Sequence, residues 1–384
     1  MSEEDPLRVI REKIDKVDLQ IMSFVSERAK LAKDVAAIKK RLGDKNFYRP
    51  ERESQVLRKI MDLNDGTINN EDMAGLFRQI MSICLSLEQP VKVAYLGPEG
   101  TFTQEAALKH FGSHATTVPK QAIDEVFREV LSGACQYGVV PVENSTEGVI
   151  THTLDSFIDS SIKICGEIEL RIHHHFMIGD NTKVQNITRV YSHAQSLAQC
   201  RKWLNSNFPN IERVAVASNG DAAKRVEGEW NSAVIAGDMC SDLYKLQKLW
   251  EKIEDRPDNS TRFLVIGMED IPSSGDDLSS IVVSVKNKPG ALHDLLEPFQ
   301  RHSIDLTRLE SRPSRNSKWS YVFFMDFVGH IEQQSVKNVI AEIQQQAAEI
   351  KNAADDMSDP IKISLAIKFC LPFSERELLS LLIS

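Results

Sequence analysis

The sequence predicts a multidomain protein whose three segments differ in class: all-α, then α/β, then α+β. Three observations carry this. Residues 5–42 hold one helical pattern, with no Gly or Pro after Pro6. From Val91 short β-branched runs alternate with helical stretches. Beyond a Ser-, Gly- and Asp-rich stretch at 270–280, the pattern becomes a small β-α-β-β-α unit. At 384 residues the chain is too long for one ordinary domain.

The first pattern ends near Gly43. Its apolar stripe, Ile14, Val17, Ile21, Val25, Leu31, Val35 and Ile38, recurs at helical spacing. Roughly 36 residues at 1.5 Å each make a helix of about 54 Å. The helical patterns that follow, near 50–63 and 70–88, are shorter and cannot cover it alone, so a partner chain is expected. Arg28 and Lys39 are about 20° apart in projection, inside the stripe and about 16 Å apart along the axis. Buried cations are costly without an anion, and two long side chains at this separation suit a small dianion. Arg11 points about 100° away, which places it to serve a neighbouring chain's site.

In the second segment, Val91–Leu96, Tyr137–Val142, Arg189–Ser192, Val214–Ala217 and Ala233–Ala236 read as strands between helices, the signature of α/β layers with parallel strands. Turn motifs sit at strand ends: Gly97-Pro98-Glu99-Gly100-Thr101-Phe102, Val140-Pro141-Val142-Glu143-Asn144-Ser145 and Asn259-Ser260-Thr261-Arg262-Phe263. Exposed backbone N–H groups at helix starts suit a carboxylate. The first motif lacks the dinucleotide fingerprint, which disfavours a nicotinamide enzyme. His173-His174-His175 lies in strand-like sequence, where side chains alternate faces. The three cannot converge on one ion, so no metal and no other cofactor is expected.

In the third segment Ser280–Val285 reads as a strand, Gly290–His302 as a helix, 305–327 as a strand pair and 333–348 as a helix. Pro-Gly before a helix leaves backbone donors free for an amino acid's carboxylate.

Composition limits the function. The net charge of −9 argues against nucleic acid as a main partner. No apolar run is long enough to span a bilayer, and the first residues lack the regions of a signal peptide. Six cysteines without a Cys-x-x-Cys pair read as reduced thiols, so a cytoplasmic protein is expected.

These motifs carry resemblances. Residues 5–89, with Leu-Arg-x-x-Ile-Arg-x-x-Ile-Asp near the start, Glu27-Arg28, Lys39, Arg52-Glu53 and Leu87-Glu88, resemble the all-helical chorismate mutase family. That resemblance implies an interlocked helical dimer, and substrate binding by Arg11, Arg28, Lys39, Arg52 and Glu53. Three positions depart from the family pattern. Arg49 stands where an aspartate is often found, Cys84 replaces a serine, and Glu88 replaces a glutamine that donates to the substrate's ether oxygen. An ionised Glu88 cannot donate, so it is expected to be protonated when active.

Residues 91–270 resemble the prephenate dehydratase family through Gly-Pro-x-Gly-Thr-Phe, Pro-x-Glu-Asn-Ser, Ser192-His193-Ala194-Gln195 followed by Gln199, and Thr-Arg-Phe. The resemblance implies two α/β lobes with the substrate between them. It makes Thr261 the catalytic donor, Arg262 the carboxylate binder, and Asn144, Ser145, Ser192 and Gln199 pocket residues.

Residues 279–350 resemble the ACT regulatory domain, of ferredoxin-like α+β fold, through Lys288-Pro289-Gly290-Ala291-Leu292 and Glu310-Ser311-Arg312-Pro313. This implies L-phenylalanine as an effector held by those two motifs between paired units, and hence a homodimer or higher homo-oligomer. The family's last strand is missing after the final helix. Whether Ile361–Phe369, within an atypical tail at 351–384, replaces it is left open by the sequence. Together the resemblances imply conversion of chorismate to prephenate and of prephenate to phenylpyruvate, with feedback inhibition by L-phenylalanine. Two other readings fit parts of the chain: a dehydratase with a non-catalytic helical dimerisation arm, and a non-catalytic amino-acid sensor.

Overall fold

A computed structural model describes residues 6–43, 48–158, 160–286, 288–313, 320–351 and 361–366. The chain forms two compact units, one built mainly from the N-terminal helices and one from most of the remainder.

In the helical unit, α1 (Pro6–Leu42) runs for 37 residues and packs against α3 (Asn70–Glu88), with α2 (Pro50–Leu63) between them in the chain. Asn69 caps α3 by accepting from Asp72 N–H at 2.8 Å, the preferred chemistry for a helix start. The less exposed positions of α1 include Val25, Arg28, Ala29, Ala32, Ala36 and Lys39, at helical spacing. Small alanines let α3 approach closely along this line. Most of the expected stripe is not covered by its own chain: Ile14, Val17, Ile21, Leu31, Val35 and Ile38 are each 45–58% exposed. The reason is geometric, since one 19-residue helix shields only a narrow face of a 37-residue one.

In the other unit the first lobe opens with β1 (Lys92–Leu96), α4 (Phe102–Phe111), β2 (Thr116–Lys120), α5 (Ile123–Leu131), β3 (Tyr137–Asn144), β4 (Gly148–Val149), α6 (Thr151–Ile158) and β5 (Lys163–Arg171). The second lobe follows with β6 (His175–Ile178), β7 (Arg189–His193), α7 (Ala194–Gln199), α8 (Arg201–Asn207), β8 (Glu212–Val216), α9 (Asn219–Gly228), β9 (Ser232–Ala236), α10 (Asp238–Tyr244) and β10 (Gln247–Trp250). The chain then returns to the first lobe as β11 (Ser260–Gly267). The sheet orders are β2-β1-β3-β11-β5, with β4 beside β3, and β10-β6-β9-β7-β8.

The expected parallel pairing holds for β1–β3, β7–β8 and β7–β9. It fails for β11, antiparallel to β3 and β5, and for β6 against β9 and β10. Strands β5, β6, β10 and β11 flank the two crossings between lobes, and a chain that leaves and returns enters its sheet reversed. The lobe cores are apolar clusters around Val126, Phe157 and Ile266 in the first, and Phe176, Val190 and Ile235 in the second.

The C-terminal sheet contains β12 (Leu278–Lys286), β13 (Leu306–Pro313), β14 (Ser320–Val328) and β15 (Ile361–Ala366), in the order β13-β14-β12-β15. Helices α11 (Ala291–Arg301) and α12 (Gln334–Lys351) contribute Leu295, Phe299, Val336, Val339 and Ile343 to its core. Of the run Ile361–Phe369, residues 361–366 form β15, which pairs antiparallel with β12, Val283 opposite Ile361 and Leu278 opposite Ala366; residues 367–384 lie outside the described residues. Along β14 the faces alternate. Phe323, Met325 and Phe327 enter this core, while Val322 and Phe324 join the first lobe's cluster.

Candidate active sites

The helical unit brings together Arg28, Lys39 and Glu88. Glu88 ends α3, and its Oε2 lies 4.0 Å from Lys39 Nζ. Burial raises the Glu88 pKa above the ordinary carboxylate range, and the nearby Lys39 and Arg28 charges only partly offset it. Buried Cys84 sits one turn earlier on α3. Arg49 precedes α2 as its N-cap, and Arg52 and Glu53 occupy the first turn; Arg52 is exposed. Arg11 stays exposed, about 26 Å from Arg28 along the helix at 1.5 Å per residue.

The lobed unit gathers a polar cluster around β11. Thr261 stands opposite Asn144 of β3 across the ladder. Asn144 Nδ2 lies 2.8 Å from Thr261 Oγ1 and 3.0 Å from Asn259 Oδ1. Asn144 Oδ1 in turn accepts from the backbone N–H groups of Thr146 and Glu147, which fixes the amide's orientation. Because Thr261 Oγ accepts from Asn144, its single O–H hydrogen is free to donate elsewhere. Ser145, exposed at the turn, accepts from Ser260 N–H at 2.9 Å.

The second lobe reaches the same cluster through Gln199 at the end of α7. Its Oε1 accepts from Asn259 Nδ2 at 3.2 Å and lies 2.8 Å from His174 Nε2. That pairing makes Nε2 the protonated nitrogen of His174, whose pKa burial lowers. Glu254 accepts from His174 N–H and lies 2.8 Å from His173 Nδ1. Burial opposes its charge, but these bonds outweigh burial and hold its pKa low. His175 instead faces Asp238 at 3.2 Å. The three histidines therefore take three different partners.

Two expected pocket residues sit elsewhere. Ser192 is fully buried, with Oγ 2.6 Å from Ile235 carbonyl oxygen and 2.9 Å from Asn219 Oδ1. It ties β7 to the start of α9 and to β9. Arg262 projects from β11 on the face opposite Thr261, as strand alternation requires. Its guanidinium meets Glu167 at 2.8 Å and Asp326 of β14 at 2.7 Å, so it is not brought to the Thr261 cluster as a carboxylate binder. Burial works against its charge, yet the two carboxylates hold its pKa above the usual value. Asn259, His174 and Glu254 were missed. Asn259 lies within the Asn-Ser-Thr-Arg-Phe motif, and that adjacency was the available signal.

The lobes also meet closely. A Cβ on Gly220 would fall 2.1 Å from Glu99 carbonyl oxygen, and one on Gly237 would fall 2.6 Å from the Phe102 ring. Phe102 packs edge-on to His174, with centroids 5.6 Å apart.

In the C-terminal sheet, Lys286 pairs with Ser320 and Pro313 with Tyr321. The effector motifs therefore lie at one end of the sheet. Gly290 caps α11 with φ 86°, a left-handed conformation suited to glycine. Ala291 is half-buried, Leu292 and Ser311 are exposed, and Glu310 is half-buried. Arg312 is committed to Asp155 of α6, at 3.0 Å.

These sites find counterparts among known proteins. Chorismate mutase type II matches residues 10–89, prephenate dehydratase 93–271 and the ACT domain 279–344. A bifunctional chorismate mutase/prephenate dehydratase of Pseudomonas aeruginosa is 62% identical over 91% of this chain and 97% of its own. One from Neisseria gonorrhoeae is 43% identical over 89% and 94%. The solved prephenate dehydratase of Arthrobacter aurescens, in complex with L-Phe, has TM-score 0.64 at 27% identity, covering 72% of this chain and 90% of that one. Fold and these matches define an isomerase joined to a lyase, followed by an ACT domain. The chain belongs to the bifunctional chorismate mutase/prephenate dehydratase family.

Proposed function

We propose that the helical unit rearranges chorismate with Arg28, Lys39 and a protonated Glu88, and that the lobed unit dehydrates prephenate with Thr261 as donor, under inhibition by L-phenylalanine. The rearrangement is pericyclic and needs no nucleophile. The site must fold the substrate by its carboxylates and stabilise charge on the ether oxygen. Arg28 and Lys39 supply cations, and a protonated Glu88 supplies the O–H donor to that oxygen. Arg11 serves the partner's site. The exposed apolar residues of α1 support a homodimer, since that much uncovered apolar surface favours burial against a second copy.

Prephenate loses carbon dioxide and hydroxide as its ring becomes aromatic. The breaking C–C bond supplies the ring electrons, and the C–O bond electrons leave with the hydroxyl. Thr261 is too weak an acid to transfer its proton fully, but its O–H bond to the departing oxygen stabilises that charge. Asn144 holds Oγ in place, and Gln199 and Asn259 join the lobes beside it. The backbone N–H groups at the start of α4 are suited to a substrate carboxylate. L-phenylalanine binds through Gly290–Leu292 and Glu310–Pro313 at the shared end of the sheet. No helix among the described residues is long and apolar enough to cross a membrane.

The 2.8 Å Asn144–Thr261 bond carries this reading. Thr261→Ala is expected to lower dehydratase kcat by about 10²-fold or more with little change in KM. Unchanged turnover would remove Thr261 from the role.

A further inference from the structure

We propose that Asp326 and Arg308 of the ACT domain are positioning residues for the dehydratase, gripping from below the two strands that carry Thr261 and Asn144. The inference rests on the reading of Thr261 and Asn144 as the reacting pair. It follows from strand alternation. Thr261 and Asn144 are cross-strand partners, and the next pair along the same two strands is Arg262 and Glu143. Neighbouring side chains on a strand point to opposite faces. The first pair therefore meets the cleft, and the second meets the regulatory sheet.

That second pair is held almost entirely by charge. Asp326 Oδ2 lies 2.7 Å from Arg262 Nη2, and Arg308 Nε lies 3.3 Å from Glu143 Oε2. Arg262 also approaches Glu143 at 3.9 Å and Glu167 of β5 at 2.8 Å. Asp326 is itself anchored, accepting from Ser280 Oγ of β12 at 2.6 Å. The chain runs from β12 directly into the Lys-Pro-Gly turn and α11. A displacement of β14 thus reaches Arg262, one residue from Thr261, through one hydrogen bond, and a displacement of β12 through two.

Three further observations mark the place as movable. The β11–β3 ladder shifts register between Arg262 and Phe263, next to the gripped pair. Such irregularities re-aim side chains. Beside the grip lies a cavity of about 270 Å³, lined in part by Arg262, Arg308, Asp326, Ser280, Phe324 and Lys163. Close-packed atoms resist sliding, and here they are absent. Arg308 Nη2 is buried without a hydrogen-bond partner among the described residues. A second arrangement of the grip has an unused donor ready for it.

The test uses the full chain, with prephenate turnover followed alongside chorismate turnover as an internal control. Asp326→Asn is expected to lower dehydratase kcat about tenfold with KM and the mutase rate within about twofold, since small misplacements act on the reacting geometry. Asp326→Glu restores kcat. L-phenylalanine at saturation changes the remaining kcat of Asp326→Asn far less than that of the wild type. Asp155→Asn breaks a different bridge between the same domains, and it keeps wild-type kcat. A wild-type kcat in Asp326→Asn overturns the proposal, as does an equal loss in Asp155→Asn. Thr261→Ala assayed in parallel separates the two levels. If Thr261→Ala is fully active, the reading of the site itself fails. If it is inactive while Asp326→Asn is normal, only the grip is disproved.

Discussion

Replacing Gly220 by alanine places a methyl group in the seam between the two dehydratase lobes. Gly220 occupies the first turn of α9 with no left-handed backbone, so alanine meets no conformational penalty there. As a better helix former it favours the fold by up to about 1 kcal/mol. The opposing effect is local. The added Cβ would lie 2.1 Å from Glu99 carbonyl oxygen, where a carbon–oxygen contact normally sits near about 3.3 Å. The lobes must part by roughly 1 Å at this point, and displacements of that size cost catalysis about 10²-fold. Gln199 then withdraws from Asn259, and Thr261 faces a wider, wetter cleft. Dehydratase kcat/KM is expected to fall about 10²-fold, while chorismate turnover on the same preparation is unchanged. A dehydratase within about threefold of wild type would refute the reasoning that the close seam sets the reacting geometry.

Other consequences follow from single groups. Mutase activity should fall as pH rises through the raised pKa of Glu88, because only its protonated form donates; Glu88→Gln should flatten that profile, and an activity that climbs steadily with pH contradicts the role. Burial, with Asp238 adding to it, pushes the Glu105 pKa from 4.5 up to about 7. A carboxyl raised in the fold lends stability that is complete below about 4.5 and lost as pH climbs through about 7. Glu105→Gln should therefore lose less stability than wild type between pH 5 and 8, by of order 2 kcal/mol in denaturant titrations. Phe176 is fully buried and stacks on Phe208 at 4.9 Å beside Trp203 and Trp250. Phe176→Ala should cost about 3–5 kcal/mol, read as a lowered unfolding midpoint.

Much of this architecture was legible because periodicity and turn chemistry are local. Helix α1 ends where Gly43 takes φ 71°, and the expected boundaries of β1, β3, β7 and β9 lie within two residues of those observed. Strand β5 escaped notice because Lys163–Arg171 mixes Gly, Cys and charged residues; Gly166 is there so that His110 can pack against the strand. Its pairing with β11 is set by a partner about 95 residues away, which no window of sequence contains. The same limit governed the sites. Thr261, Asn144 and Gln199 were findable as motif positions, and Arg28 and Lys39 as cations on one helical face. Which way a motif residue points was not, so Arg262 read as a substrate ligand although alternation turns it toward Asp326. Ser192 on β7 likewise read as pocket-lining because its partner Asn219, at the start of α9, lies 27 residues further on.

The central claim is that one chain carries chorismate to phenylpyruvate in two steps at separate sites. Purified protein incubated with chorismate, with chorismate, prephenate and phenylpyruvate followed over time in the presence and absence of L-phenylalanine, tests it most directly. The account predicts chorismate loss, transient prephenate, and phenylpyruvate formation that L-phenylalanine suppresses. Chorismate that persists while added prephenate is consumed would contradict the role given to Arg28, Lys39 and Glu88, and prephenate that accumulates without phenylpyruvate would contradict the role given to Thr261.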